Sequence, residues 1–367
     1  MPGKIIMHSL SCQQQHFGSS EFRNFPIMAY RYRSSPRYSS NPYSELTTEI
    51  KEEFKSIELA ANSTLEDKFR WCEELQQIVQ RALPGSRLIL VGSSTNLFGF
   101  KHSDCDLTVI TRESYVSEMG CLSKIEEALK PYRRRYKVES VYGAKVPILK
   151  IRDDISDYEG DISINQKCGV QSTYLLKCYA LMDPRVRPLA LIIKRWAQKA
   201  GICDARQHKL SGFAVILLIL HYLQKGCTDP VIPSLQATFP RFFASSSSVL
   251  SLAEKLSNTK KDSVPYDVRS YSSRNTQTLG ELLVGFFKFY SNFYWENVIS
   301  IRTGDYIPLS NYSEGTWRKP QIRIEDPYQR GNVTKAVYQI SVSYMIKEAF
   351  GKAARELERD PSLTAIM

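Results

Sequence analysis

Arg87-Leu88-Ile89-Leu90-Val91-Gly92-Ser93-Ser94, then Ser103-Asp104-Cys105-Asp106-Leu107, then Gly160-Asp161-Ile162-Ser163-Ile164-Asn165 are the stretches whose reading decides the fold. The first is an apolar, β-like run broken by a glycine. The second carries carboxylates at i and i+2, which project from one face of a strand while Cys105 and Leu107 point the other way. Like charges this close repel, and desolvating both is costly; a divalent cation between them removes the conflict. Mg²⁺, with Mn²⁺ as a substitute, is the expected ion, because it takes a few carboxylates together with phosphate oxygens rather than a full protein cage. Gly92 permits close backbone approach, and N–H groups at a helix start after Ser93 are expected to hold a phosphate. The combination predicts a cradle for a nucleoside triphosphate and a metal. A turn followed by a solvent-facing acidic pair is the plainer reading of an Asp-x-Asp alone; the nearby Gly-Ser and the third Asp argue against it.

The chain has 367 residues, more than one ordinary core holds, and a hydrophobic share of 43% that supports two. A net charge of +11 points to a polyanionic partner, whose phosphates Lys and Arg neutralise with release of counterions. Charge alone does not separate RNA from DNA or an anionic membrane. The eight cysteines form no Cys-x-x-Cys pair and no metal-ligand spacing with the five histidines, which fits free thiols in a reducing compartment. The stretch from Met1 to Cys12 has no secretory apolar segment, and the longest apolar run, Phe213 to Leu220, is too short to span a bilayer. A soluble protein of the cytoplasm, or of the nucleus, is expected, with no membrane association.

Residues 1–43 mix Ser, Tyr, Arg and Gln without a period and are expected as a flexible basic tail. Its Arg31, Arg33 and Arg37 interleave with Tyr30, Tyr32 and Tyr38, a mixture that suits single-stranded RNA as well as it suits a solvated arm. Helices are expected over Ser44 to Ala61 and Thr64 to Leu83, the second ending at Pro84-Gly85. Strands follow near 87–91, 105–110, 135–142, 145–152 and 160–164, with a helix from about Tyr115 to Lys130 between the second and third. Side by side, such strands bring Asp161 to Asp104 and Asp106. Asp153, Asp154 and Asp157 compete for the place of third carboxylate but lie among turn formers. Ile162 and Ile164 alternate after Asp161 and set it on the face of Ser163 and Asn165. From Gly169 the period changes to about 3.6. Leu189, Ile192, Ile193, Trp196 and Ala200 share an apolar face, so Trp196 reads as core and Lys194 as lying off that face. Phe213 reads equally as core or as a stacking platform. Arg133, Arg134, Arg135 and Lys137 read as a solvated strand edge or as a track for a nucleic-acid backbone.

Gly-Ser, about ten residues, Asp-x-Asp and a later Asp resemble the signature of the polymerase-β-type nucleotidyltransferases. A closer resemblance, to noncanonical poly(A) polymerases and terminal uridylyltransferases, extends in order from Leu46 to Phe350. It passes through Val91 to Phe100, Lys194-Arg195-Trp196-Ala197, Leu210-Ser211-Gly212-Phe213 and Ile324-Glu325-Asp326-Pro327-Tyr328. The resemblance implies an α+β fold. A nucleotidyltransferase domain with a mixed sheet at 62–168 would pack on a mostly helical central domain of 44–61 plus 169–352, with the nucleotide cleft between them and a C-terminal tail at 353–367. It implies template-independent transfer of AMP from ATP to RNA 3′ ends. Asp104, Asp106 and Asp161 are then the catalytic metal ligands, with Asp161 as proton acceptor. Gly92, Ser93, Thr173, Lys194, Ser211 and Phe213 are the implied nucleotide contacts, with Asn165 and Gln166 toward the base edge. Three departures imply a rearranged grip: Gln198 where relatives place a second lysine, Gly212 in place of a serine, and Ser172 in place of an asparagine. Asp326 and Gly331 sit in the base-selecting segment. Uridine-selecting relatives carry a His near Gly331, so the smaller residue favours ATP over UTP. No RNP-type aromatic motif or zinc knuckle is visible, so a monomeric catalytic subunit served by an RNA-binding protein adaptor is expected. Uridylation, and a catalytically weak scaffold for RNA or partners, are the alternative readings.

Overall fold

The computed structural model describes residues 41–111, 117–257, 263–312, 315–318 and 321–367, so the expected N-terminal tail up to residue 40 lies outside the described residues. Helix α1 (Ser44–Ala82) runs unbroken through 39 residues, where the sequence reading has two helices parted near Asn62. The polar side chains at that point bond back onto the helix, Ser63 Oγ donating to Ala60 O at 2.9 Å and Thr64 Oγ1 to Ala61 O at 3.2 Å, and so remain compatible with it. Tertiary packing overrides their weak helix propensity. Leu46, Ile50 and Ile57 enter one hydrophobic core, while Trp71, Leu75, Ile78 and Val79 enter another.

The second of these cores lies against a five-stranded sheet of β1 (Arg87–Val91), β2 (Cys105–Ile110), β3 (Tyr136–Val141), β4 (Ile148–Asp153) and β5 (Tyr158–Ile164), in the order β1-β2-β5-β4-β3. β2 and β5 are parallel and the other pairs antiparallel, which makes the sheet mixed. The chain between β2 and β5 includes α2 (Glu118–Leu129), whose Ser117 cap accepts from Gly120 N at 3.1 Å. Alternation sends Leu107, Val109, Ile162 and Ile164 into the core and turns Asp106 and Asp161 to the other face. Gln76 of α1 covers part of the outer edge of β1, donating to Ser86 O at 3.2 Å and accepting from Leu88 N. Arg135 grips buried Asp153 through both carboxylate oxygens and reaches Glu74 at 2.7 Å, tying β3, β4 and α1 together. Burial alone would raise the Asp153 carboxyl, yet Arg135, Ile155 N and Ser156 hold it below the usual range. Asp153 is therefore a structural carboxylate, and Arg135 is withdrawn from the basic run.

The first core is helical, built by α3 (Lys167–Met182), α4 (Val186–Lys199), α5 (Gly212–His221), α6 (Val249–Ser257), α7 (Leu279–Ser291) and α8 (Ile340–Arg359). Trp196 is buried edge-on to Phe287, centroids 4.6 Å apart. Lys194 is buried too, while Ala200 is exposed. The α4 surface in contact with protein is thus broader than the expected stripe. The segment read as a tail from 353 onward is packed: Ala353, Ala354 and Leu357 of α8 are buried, and Leu363 N donates to Glu49 of α1 at 2.6 Å. Among the described residues no helix is long and apolar enough to cross a membrane.

His221, at the end of α5, is buried among Phe289, Tyr290 and Phe293. Tyr290 Oη gives its proton to Leu218 O at 2.8 Å, so it accepts from His221 Nδ1 at 3.0 Å, and Nε2 has no hydrogen-bond partner among the described residues. Burial pushes the imidazole down to about 4 from 6.5. Between those values the unfolded chain binds a proton that the folded protein refuses, so this contribution to stability is complete above pH 6.5 and lost as pH falls to about 4. We predict that His221→Phe removes the effect: in denaturant titrations the parent loses on the order of 3 kcal/mol relative to the variant across that range. Identical pH dependence in the two proteins would rule His221 out as its source.

Candidate active site

At the end of β1 the chain turns through Gly92 (φ 73°) into a single 3₁₀ turn, Gly92–Ser94. One such turn forms where the sequence reading has a longer helix start. A Cβ added at Gly92 would lie 2.0 Å from Asp106 Oδ2, so only glycine lets the backbone pass against that carboxylate. Register places Val91 opposite Asp106, and Asp106 opposite Asp161 on the parallel neighbour β5. The two side chains therefore share a face. Asp104 is exposed in the turn before β2, and Lys150 of β4 stands opposite Asp161.

Asp106 is exposed to the cleft along part of its side chain, while the Gly92 backbone packs against its carboxylate and dense protein surrounds it on the sheet side. Burial, then the charges of Asp161 and Asp104, push its carboxyl up to about 6 against the pull of Lys194 and Lys68. Asp161 is also raised, by burial first, with Lys150 opposing and Asp104 and Glu159 adding to it. Carboxyls whose ionisation is disfavoured by burial and by neighbouring acidic groups form a site short of positive charge, which a hard divalent cation with oxygen ligands fits. Asp106 and Asp161, paired by register, make the core of that donor set; among the described residues no three His, Cys, Asp or Glu side chains, these two with Asp104 included, are gathered so that they could hold a metal ion.

Two cavities meet at Asp106. The first, about 400 Å³, brings together Gly92, Ser93, Asp106, Thr173, Lys194, Phe213 and Asp326 from the sequence-predicted set. Val91, Phe98, Leu176 and Ile216 give it an apolar wall suited to a flat base. The second, about 710 Å³, shares Ser93, Asp106, Lys194 and Gly212 with the first and adds Asp104, Lys101, His102, Arg195 and Gln198. Phe213 packs on the helical core, as one of its two sequence readings has it, and it also lines the first cavity.

Other predicted residues are placed differently. Asn165 is tied to Thr111, its Oδ1 accepting from the backbone N at 3.0 Å and its Nδ2 donating to Oγ1 at 3.1 Å, while Gln166 Nε2 donates to Ile164 O at 2.9 Å. These amides satisfy the ends of β2 and β5, and neither residue lines either cavity. Thr173 Oγ1 accepts from Gly92 N at 3.0 Å and donates to Gly169 O at 2.7 Å. It holds the Gly92 turn in place, while Ser93 and Ser172 bring further hydroxyls to the cavity lining. Ser211 caps α5, accepting from Ala214 N at 3.1 Å, outside both cavities. Asp326 accepts from Tyr328 N at 2.9 Å and Gln329 N at 2.8 Å, closing a turn that presents Gln329 to the cavity. Gly331 stays outside the lining, and a Cβ added to it would meet open space.

Lys194 Nζ donates to Phe98 O at 2.8 Å and lies 5.1 Å from the Phe100 ring centre; burial lowers its pKa, against the charges of Cys203 and Asp106. Sequence reasoning missed a second buried lysine, Lys68 of α1, which donates to Ser103 O at 2.6 Å and Ser94 Oγ at 3.3 Å. Burial depresses it while Cys105, Asp104 and Asp106 draw it up. Its signal was present, since a lysine at 68 falls in helical step with Trp71, Cys72 and Leu75 on an apolar stripe.

Known proteins share this architecture. The family described as poly(A) RNA polymerase, mitochondrial-like, central palm domain matches residues 46–181, and the Cid1 family poly A polymerase description matches 278–332. Poly(A) RNA polymerase GLD2-A of Xenopus laevis is 37% identical over 303 residues, covering 80% of this chain; the chain spans 57% of that relative's length. Poly(A) RNA polymerase GLD2 of Mus musculus is 33% identical over 356 residues, covering 94% of this chain and 70% of its own. Among solved structures, that of a GLD-2/RNP-8 complex superposes with a TM-score of 0.74 at 29% identity, covering 88% of this chain and 97% of the other. A Cid1 poly(U) polymerase structure gives 0.72 at 26%, covering 86% and 95%. With identity at this level across most of both chains, on a polymerase-β-type α+β architecture, the chain belongs to the family of GLD2 poly(A) RNA polymerases.

Proposed function

We propose that this protein adds AMP from ATP to RNA 3′ ends without a template. The observation that carries this reading is the register pair Asp106 and Asp161, set against the Gly92 turn where an apolar-walled cavity opens beside Lys194. In the reaction the RNA 3′-hydroxyl oxygen bonds to the α-phosphorus of ATP as the bond to the pyrophosphate oxygen breaks. The hydroxyl proton passes to the Asp161 carboxylate, whose pKa burial raises above the usual carboxylate value. Asp104, Asp106 and Asp161 would hold Mg²⁺, or Mn²⁺ in its place, which when bound screens the phosphate charge and acidifies the attacking hydroxyl. Lys194 adds a fixed positive charge beside Asp106, and Lys68 braces the turn that carries Asp104. Phe213 offers a stacking face, and Ser172, Asp326 and Gln329 supply polar groups within the same cavity. A protein partner that delivers RNA is supported by the similar GLD-2, which is solved in complex with RNP-8.

Incubating the full chain with labelled RNA and each nucleoside triphosphate in turn is expected to extend the RNA with ATP. Preference for UTP would make it a uridylyltransferase, and no extension with any nucleotide in Mg²⁺ or Mn²⁺ would leave a scaffold. Asp106→Asn and Asp161→Asn should each lower extension at least ~10³-fold. Asp106→Asn should also melt no lower than the parent without metal, because it removes a carboxylate that burial and two neighbours disfavour. A lower melting temperature would count against that electrostatic account. Gly331→His, entering open space, should raise UTP use relative to ATP by about tenfold; an unchanged ratio would remove position 331 from base selection.

A further inference from the structure

We propose that Arg302 and Arg330, which line neither cavity, are positioning residues: through the buried carboxylate of Glu325 they fix the turn that presents Asp326 and Gln329 to the first cavity. This rests on the nucleotide-binding reading of that cavity. The turn covers residues 326–331 and its ends are strapped by backbone. Glu325 and Asn332 form an antiparallel bridge, Asp326 N donates to Gly331 O at 2.8 Å, and Arg330 N donates to Asp326 O at 3.1 Å. Behind the turn stands a hairpin of β6 (Val298–Ser300) and β7 (Asp305–Ile307). The strand entering the turn is laid on that hairpin, since Ile299 N donates to Arg323 O and Glu325 N to Ile299 O, both at 2.9 Å.

Glu325 is 2% exposed, and a carboxylate so buried persists only when its oxygens are satisfied. Ser300 Oγ donates to it at 2.6 Å, Arg302 Nε at 3.1 Å and Nη2 at 3.0 Å, and Tyr312 Oη at 3.2 Å. Arg330 Nη1 stands 3.9 Å away. Ser300 and Arg302 belong to the hairpin and Arg330 to the turn, so one carboxylate is shared between support and turn. Arg330 has a φ of 58°, a left-handed conformation that a residue with a side chain enters at a cost. That reversal parts its side chain from its neighbour's: Gln329 lines the cavity and Arg330 faces Glu325. Attraction to Glu325 offsets part of the cost and keeps Gln329 on the cavity side. A turn fixed before its ligand arrives loses less freedom on binding. The charge cluster therefore contributes to nucleotide affinity and to base choice without touching the nucleotide.

The test reads nucleotide binding without turnover, as displacement of a fluorescent ATP analogue by ATP from the full chain in Mg²⁺, alongside extension kinetics. Arg302→Met and Arg330→Met are each expected to weaken ATP binding and raise KM for ATP about fivefold, while kcat at saturating ATP and KM for RNA move by less than about twofold. The ratio of kcat/KM for ATP to that for UTP is expected to fall about threefold or more. Arg302→Lys is expected to recover part of the loss, since it returns the charge but not the two-pronged contact. Lys225→Met is the control. It removes an ion pair with Asp305 of the same hairpin, at 2.9 Å, away from Glu325, and is expected to leave KM for ATP unchanged. Where Arg302→Met fails to fold, Arg330→Met, at an exposed position, decides alone. An equal loss in Lys225→Met would mean general support by the hairpin and would overturn the proposal. So would a lowered melting temperature in Arg330→Met with ATP binding and the ATP-to-UTP ratio unchanged. A parent that binds ATP through Arg330 yet extends no RNA would sink the polymerase reading and leave the positioning role standing.

Discussion

Repulsion between the carboxylates of Asp106 and Asp161, held in register on two parallel strands, is the constraint around which the rest of this molecule is arranged. No packing of apolar side chains alone creates such a pair; the sheet must enforce it. β2 and β5 do so from the middle of a five-stranded sheet, flanked by β1 and β4, where neither strand can slip without sending Leu107 and Ile162 out of the core. The energy that keeps like charges together is the burial of the other face.

Two lysines without carboxylate partners in contact among the described residues answer that negative charge from opposite sides. Lys68 comes from α1 behind the turn that carries Asp104, and Lys194 comes from α4 across the cleft. Each is tied to a backbone carbonyl, so each is fixed in position while its charge remains available to the site. Such an arrangement suits a site that must tolerate the arrival of an anion and its cation together.

The strands were legible because hydrophobic alternation and Gly92 are local signals, and the three aspartates stood out because their spacing violates what a plain strand would carry. Long-range facts were not legible. Asn62-Ser63 looked like a helix break, since nothing local says that Ile57 and Trp71 will each find a core. Asn165 and Gln166 looked like ligands for a base, since only the folded sheet shows Thr111 and Ile164 waiting for their amides. Thr173 was assigned to the nucleotide and proves to hold the Gly92 turn that the nucleotide would meet. Lys101, His102 and Gln329 carry no motif of their own; the cavity walls alone pick them out.

The unbroken α1 has a mechanical consequence. Its first half is embedded in the helical core and its second half in the sheet core, a rod of roughly 58 Å at 1.5 Å per residue passing from one lobe to the other. Lobes strung on a flexible linker swing like jaws. Lobes skewered by one stiff axle can separate only by bending it.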